Sequence, residues 1–342
     1  MRFSRVRIER LAAVEAPDVI KSVEVESDLD PVYKRLGIPP HCLQALTGIE
    51  ARRFWPAGRE VAQGGVDAAE ACLRGTDLED RTARGKIGAL ISTSVSKEYL
   101  EPSVAALVHG DLGLAEDCLN FDISNACLGF LSAMGIAARF IEGGQTDYVL
   151  IVASESSRNV VTRTVQKLHE PDSTMDDYRS FLPTLTLGSG AVAMLMCAED
   201  VATSEHRFDG VVSKANTAYN RICMGTWDWM RTDAPRLMSE GVALAKRVWS
   251  AAEGEFGWSS DALESLICHQ VGAAHLATLC NELRLPVDKA FKTYPNFGNM
   301  GAAALPFTLF KALEAGAVKD GDRVALMGIG SGLNCSMGQV TW

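Results

Sequence analysis

The sequence predicts an α/β protein built from two similar halves, each of βαβαβαββ type, stacked as a five-layer αβαβα sandwich. Three observations carry that prediction. The 342 residues, 47% of them hydrophobic, suffice for a large core or one duplicated unit. Strand, helix, glycine turn and strand recur in the same order in the two parts of the chain. Two helical stretches at matching places in that repeat are apolar around nearly their whole circumference, as helices enclosed between layers must be.

Taken in order, residues 87–95 (Ile-Gly-Ala-Leu-Ile-Ser-Thr-Ser-Val) read as a short buried strand, and residues 263–271 (Leu-Glu-Ser-Leu-Ile-Cys-His-Gln-Val) read the same way. The helical stretch 126–141 has Arg139 as its only charge, and the stretch 300–313 has Lys311 alone. Each is followed by a glycine turn and a strand, at Gly143 and 148–152 in one part and at Gly316 and 323–327 in the other. A glycine hairpin is expected next in both, around Gly188 and Gly190 and around Gly328, Gly330 and Gly332. Short buried strands alternating with helices favour largely parallel sheet, and two all-round apolar helices fit between two such sheets. The halves are expected at 1–200 and 205–342. In that stack Cys127 and the loop of Asn299 would begin the two central helices, so pseudo-symmetry could bring them together.

Composition narrows the function classes. A net charge of −10 opposes broad nucleic-acid binding, which needs a basic surface against phosphate. Nine cysteines, an odd count without paired CxxC spacing, argue against a disulfide framework and a zinc site. The start, Met1-Arg2-Phe3-Ser4-Arg5-Val6-Arg7, shows no apolar leader, and no apolar run reaches the roughly 18 residues of a membrane span. A cytoplasmic protein without a transmembrane segment is expected.

Cys127 stands in Asp122-Ile123-Ser124-Asn125-Ala126-Cys127-Leu128-Gly129-Phe130. A thiol at the head of a helix meets orphan N–H groups and the positive end of the dipole, which can lower its pKa from about 8.5 and make it nucleophilic. The plain alternative is a structural cysteine. His269 follows much later in Ile267-Cys268-His269-Gln270, and Asn299 in Phe297-Gly298-Asn299-Met300-Gly301; alone, one is a strand-end histidine and the other a turn residue. His275 reads as structural. The order Cys, His, Asn points to acyl chemistry. Arg52 and Arg53 read either as contacts to coenzyme A phosphates or as surface ion pairs. Trp227 and Trp229 read as passage lining or as packing.

The repeat, Asn125-Ala126-Cys127, His269-Gln270, Gly298-Asn299-Met300-Gly301-Ala302-Ala303 and Thr47-Gly48-Ile49-Glu50-Ala51-Arg52-Arg53 resemble the thiolase superfamily, specifically its ketoacyl-synthase-III-like branch. The resemblance covers essentially the whole chain and implies the thiolase fold. Residues 92–103, residues 328–337 and Ala51-Arg52-Arg53-Phe54-Trp55 resemble more narrowly the family that condenses two long-chain acyl-CoAs head to head in bacterial olefin biosynthesis. That likeness implies an acyl-Cys127 intermediate, an enolate held by His269 and Asn299, and an oxyanion position at the backbone N–H groups of Cys127 and Ser331. It further implies that Glu101, on a loop entering the neighbouring subunit of a homodimer, removes the α-proton; the bland reading of Glu101 is a solvated loop carboxylate. Coenzyme A enters as substrate carrier, with no cofactor and no metal, and other olefin-pathway enzymes would receive a β-keto acid.

Departures from synthase III bear on the alternatives. The stretch Val271-Gly272-Ala273-Ala274 is uncharged and Leu46 precedes Thr47, where that family commonly has basic residues near its carrier. The alternatives are decarboxylative condensation with a malonyl carrier protein, acyl transfer to another nucleophile, and a non-catalytic scaffold.

Overall fold

A computed structural model describes residues 1–226 and 228–342; Trp227 lies outside the described residues. Nine strands form one mixed sheet: β1 (Val6–Glu15), β2 (Ile87–Ser92), β3 (Leu119–Asp122), β4 (Tyr148–Glu155), β5 (Gly190–Ala198), β6 (Arg207–Ala215), β7 (Ser265–Cys268), β8 (Arg323–Gly330) and β9 (Asn334–Thr341). Their order across the sheet is β7-β8-β9-β6-β1-β5-β4-β2-β3. The junction between the two parts is thin. β1 and β6 meet through the single antiparallel pair Arg7–Arg207, so a five-stranded and a four-stranded portion can face each other.

The two portions share one topology. β2 pairs parallel with β4 and β4 antiparallel with β5, as β7 does with β8 and β8 with β9. The counterpart of β3 in the second portion is reduced to one parallel bridge, Leu266–Ala290. The hairpin expected around Gly188 is different in kind. β4 and β5 do pair from Glu155–Gly190 onward as β8 and β9 pair from Gly330–Asn334, but residues 156–189 intervene and carry the helices Arg158–His169 and Met175–Phe181.

Six helices complete the layers: α1 (Val61–Leu73), α2 (Val104–Leu112), α3 (Gly129–Glu142), α4 (Ala234–Phe256), α5 (Ala273–Leu283) and α6 (Ala304–Glu314). Alternation along β2 shows the stacking. Ile91 faces α3 and α6, packed with Phe130, Met134, Phe307 and Leu309, and that cluster continues to Ile267, Leu326 and Val340 of the other portion. Leu90 faces the opposite way, onto Val61, Leu73 and Val108 of α1 and α2. On the far side Leu266 and Met337 meet Leu244, Val248 and Leu276 of α4 and α5. The result is the five-layer αβαβα thiolase fold. Each fully buried Phe or Leu here contributes about 1.5–3 kcal/mol relative to exposure. On α3, Arg139 reaches an exposed position and the terminal Glu142 accepts from the Ser4 and Arg5 N–H groups, while Lys311 on α6 pairs with Glu15 and Glu314, both at 2.6 Å. The central helices therefore enclose no unpaired charge of their own.

A fourth cluster, with Val32, Tyr33, Leu43, Val161, Leu168 and Phe181, forms a cap from the early helices and the 156–189 insertion. Among the described residues no helix is long and apolar enough to cross a membrane.

Candidate active site

The turn that carries Cys127 grows out of β3. After Asp122 the chain enters a 3₁₀ turn, Ala126–Leu128, and only then α3, so Cys127 lies in a tight turn ahead of the helix. Ala126 adopts a left-handed backbone, φ 46°, at a cost of about 1–2 kcal/mol for a non-glycine residue. Its surroundings hold it there. Leu128 N–H donates to the Asn125 carbonyl at 3.0 Å, Asn125 Nδ2 donates to Ser132 Oγ at 2.9 Å, and Asn334 Nδ2 from the β8–β9 hairpin reaches Asn125 Oδ1 at 3.3 Å.

Cys127 keeps some accessible surface while protein surrounds it on all sides. Burial pushes its thiol up to about 12, with smaller contributions from nearby Cys223 and Glu155, and its own backbone N–H opposes the rise. The lowered pKa expected from the helix dipole is not what the site produces. Desolvation outweighs the dipole, and the resting group is a neutral thiol.

The second half supplies the partners. His269 follows the last residue of β7, and its backbone N–H donates to Met327 O at 2.7 Å. Gly328 separates it from the Ala126–Leu128 turn: a Cβ there would lie 2.6 Å from Leu128 Cδ2 and 3.7 Å from the His269 Cβ. Glycine thus lets the strand end pass between the two. Among the described residues His269 Nδ1 has no hydrogen-bond partner. Burial, and then neighbouring His275, push its imidazole down to about 3, while burial takes His275 to about 4. Both rings are neutral at pH 7.

Asn299 is fixed by its backbone, with N–H to Thr186 O at 2.9 Å and its carbonyl accepting from Gly188 N–H at 2.9 Å. Gly298 before it has φ 65°, and a Cβ there would stand 2.5 Å from Thr186 O. The Asn299 Oδ1 accepts from Gly301 N–H at 3.0 Å. Since the oxygen is engaged, the amide's remaining group is its NH₂, a donor. The following 3₁₀ turn, Gly301–Ala303, leads into α6 and touches the Ala126–Leu128 turn. The turn that carries Cys127 thus lies across Gly328 from His269 and against the turn that follows Asn299. Ser331, one residue past β8, donates from Oγ to Cys223 Sγ at 3.0 Å, and Cys223 is close enough to Cys127 to influence its thiol.

The two neutral histidines set a pH dependence of stability. Below about 6.5 the unfolded chain takes up protons that folded His269 and His275 refuse until pH nears 3 to 4. Stability is therefore lost as pH falls from 6.5, by on the order of 2 kcal/mol at pH 5 for His269 alone. Glu155, raised by burial, acts in the opposite sense. The difference between proteins isolates the histidine: His275→Asn should lose less stability than wild type between pH 7 and 5, read from urea midpoints.

Other sequence candidates fall elsewhere. Glu101 sits beside Pro102, joined by a cis peptide bond, on an exposed loop. Arg52 is wholly buried and donates to Leu185 O at 3.1 Å; Arg53 pairs with Glu15 at 3.2 Å and stacks on Phe297. Trp229, with Arg163, Lys167 and Arg231, lines an open cavity of about 560 Å³ that none of Cys127, His269 and Asn299 borders. Among the described residues no group of side chains suits a metal ion. Glu155 and Cys223 beside the thiol escaped the sequence reading. Glu155 had one signal: an acid ends a buried strand where the repeat has Gly330.

Residues 121–215 match the family described as 3-oxoacyl-[acyl-carrier-protein] synthase III, and residues 254–342 match its C-terminal part. The acyl-CoA:acyl-CoA alkyltransferase of Xanthomonas campestris pv. campestris is 40% identical over 342 residues, covering 100% of both chains. That of Shewanella oneidensis is 37% identical, again over 100% of both. A beta-ketoacyl-[acyl-carrier-protein] synthase III of Neisseria meningitidis is 23% identical, covering 89% of this chain and 91% of that one. The crystal structure of a cysteine-to-serine variant of X. campestris OleA, with bound lauric acid and lauroyl-CoA, superimposes with a TM-score of 0.95 at 39% identity, over 99% of this chain and 100% of that one. Structures of the same enzyme carry substitutions of one glutamate and one histidine. Those three residues are spaced along its chain as Glu101, Cys127 and His269 are along this one. With full-length identity well above the level of chance likeness, the same layers and the same turns, the chain belongs to the acyl-CoA:acyl-CoA alkyltransferase (OleA) family, in the synthase-III-like branch of the thiolase superfamily.

Proposed function

We propose that the chain joins two long-chain fatty acyl-CoAs head to head, by non-decarboxylative Claisen condensation through an acyl-Cys127 intermediate, and releases a β-keto acid. Residues 1–200 contribute the nucleophile and residues 205–342 contribute His269 and Asn299. Cys127 sulfur attacks the first thioester carbonyl, whose oxygen gathers charge against the N–H groups of Cys127 and Ser331; the thiol proton leaves, and coenzyme A departs as its thiol. Glu101 from a second copy then takes the α-proton of the second acyl-CoA. His269 and the Asn299 NH₂ donate to the enolate oxygen, the α-carbon attacks the acyl-Cys127 carbonyl, and the freed thiolate recovers a proton. Hydrolysis of the β-ketoacyl-CoA gives the acid and coenzyme A.

The neutral imidazole suits this chemistry, because an uncharged N–H donor waits where the enolate charge develops. A homodimer is supported by the loop that carries Glu101. Leu100 is 80% exposed and Leu119, on the sheet-edge strand β3, is 59% exposed, an apolar surface that a second copy would cover. The unpaired cysteines suit a reducing cytoplasm.

One observation favours this reading over decarboxylation: the likeness to acyl-CoA alkyltransferases spans the entire chain, whereas synthase III is far less similar. Purified protein given long-chain acyl-CoA alone is expected to form a two-chain β-keto acid, read by mass spectrometry. Product only in the presence of a malonyl carrier protein would overturn the reading in favour of a synthase III. Acylated Cys127 without carbon–carbon product would favour simple acyl transfer.

A further inference from the structure

The two turns that meet at the site are pseudo-symmetric mates. Ala126–Leu128 precedes α3 as Gly301–Ala303 precedes α6, and each begins with a left-handed residue, φ 46° at Ala126 and 52° at Gly301. Ala302 is therefore the mate of Cys127. By the same register the end of β4, Glu155, is the mate of Gly330 at the end of β8. On the nucleophile side Gly330 keeps the strand end slim: a Cβ there would lie 3.1 Å from Leu128 Cγ. On the other side the matching position carries a carboxylate. Glu155 Oε1 accepts from the Ala302 N–H at 3.2 Å, as a thioester oxygen would from the Cys127 N–H.

Glu155 does more than fill that position. It is 3% exposed. Oε1 also accepts from Val95 N–H at 2.9 Å, and Oε2 accepts from Ser96 N–H at 2.9 Å and Ser96 Oγ at 2.6 Å. Four donors on two separate segments compensate the burial of one carboxylate. One segment is the turn whose Gly301 N–H orients the Asn299 amide. The other is the start of the stretch that runs from Val95 to Glu101.

We propose that Glu155 is a positioning residue for the condensation half-reaction, its carboxylate occupying the silent mate of the oxyanion site and clamping the Asn299 turn to the segment that leads to Glu101. The inference rests on the roles assigned to Asn299 and Glu101 above. Acylation of Cys127 uses neither of those residues, so the clamp separates the two half-reactions. Glu155→Gln keeps the shape but turns an NH₂ toward backbone donors. Glu155→Asp keeps the charge but is one methylene too short to hold both segments at full strength.

The test measures, for each variant, single-turnover Cys127 acylation by intact-protein mass spectrometry and the rate of carbon–carbon product formation. Glu155→Gln should acylate within about threefold of wild type while condensation falls about 10²-fold, the scale of losing one preorganised donor. Glu155→Asp should fall between the two. Ser96→Ala, which removes one of the four contacts and leaves Glu155 in place, should shift the same ratio by about 5- to 10-fold and serves as the readout if Glu155→Gln does not fold. Equal loss in both half-reactions, or no change in the ratio for Ser96→Ala and Glu155→Gln, overturns the proposal. If wild type condenses only with a malonyl carrier, the proposed function fails separately, and the ratio measured with that carrier still decides the role of Glu155.

Discussion

Cys127→Ala should bind acyl-CoA, release no coenzyme A and form no condensed product, with turnover reduced by about 10⁴-fold or more, the scale seen when a covalent nucleophile is removed. The expectation follows from where the sulfur sits. It is enclosed by protein, next to a backbone N–H and in a turn that meets the Gly301–Ala303 turn of the other half, with the Cys223 thiol nearby. That second thiol makes the experiment sharper. Cys223 is held by Ser331 Oγ at 3.0 Å and by Thr232 Oγ1 at 3.3 Å, which keeps it at the hairpin. Acyl adducts on wild-type protein should therefore map to the Cys127 peptide, and Cys223→Ser should still form them. An adduct on Cys223 of the Cys127→Ala protein, with product formation retained, would contradict the assignment. The fold should be untouched, since alanine at 127 loses one small side chain and keeps the 3₁₀ turn that Asn125 and Asn334 secure.

Much of this site was legible in the sequence for a physical reason. Buried strands and all-round apolar helices leave a strong pattern, and duplication writes the pattern twice, so the α3 and α6 layer followed from Arg139 and Lys311 being the lone charges on their stretches. Roles resting on local turn chemistry were legible in part. Asn299 read as a turn residue, and it is one, but the bond from Gly301 N–H that leaves its NH₂ as the donor depends on a backbone angle no pattern encodes. The Cys127 pKa went the other way from the helix-dipole argument, because desolvation is a sum over tertiary neighbours and the dipole a local property. Beyond its place at a strand end, the role of Glu155 was hidden for the same reason: its four donors come from Val95, Ser96 and Ala302, on segments far apart in the chain. The insertion at 156–189 hid behind glycines that looked like a hairpin, since strand pairing from Glu155–Gly190 is indifferent to the length of chain that closes it.

Glu101→Gln should leave Cys127 acylation intact and reduce condensation by about 10²- to 10⁴-fold, the contribution of a positioned general base. Within one chain the residue is exposed on its loop, as a base donated across a dimer would be. Cover by the partner's surface would raise its basicity, and the donors on His269 and Asn299 would lower the barrier from the other side by stabilising the enolate. The geometry of that claim is testable without a structure of the dimer. Mixing Cys127→Ala with Glu101→Gln subunits, each inactive in condensation, creates hybrid dimers in which one site has both an intact Cys127 and an intact Glu101 only if the glutamate crosses between subunits. Equal mixing should then restore about a quarter of wild-type activity, since half the dimers are hybrids and each holds one working site of two. If Glu101 served its own chain, no dimer in the mixture would contain a complete site, and no activity would return.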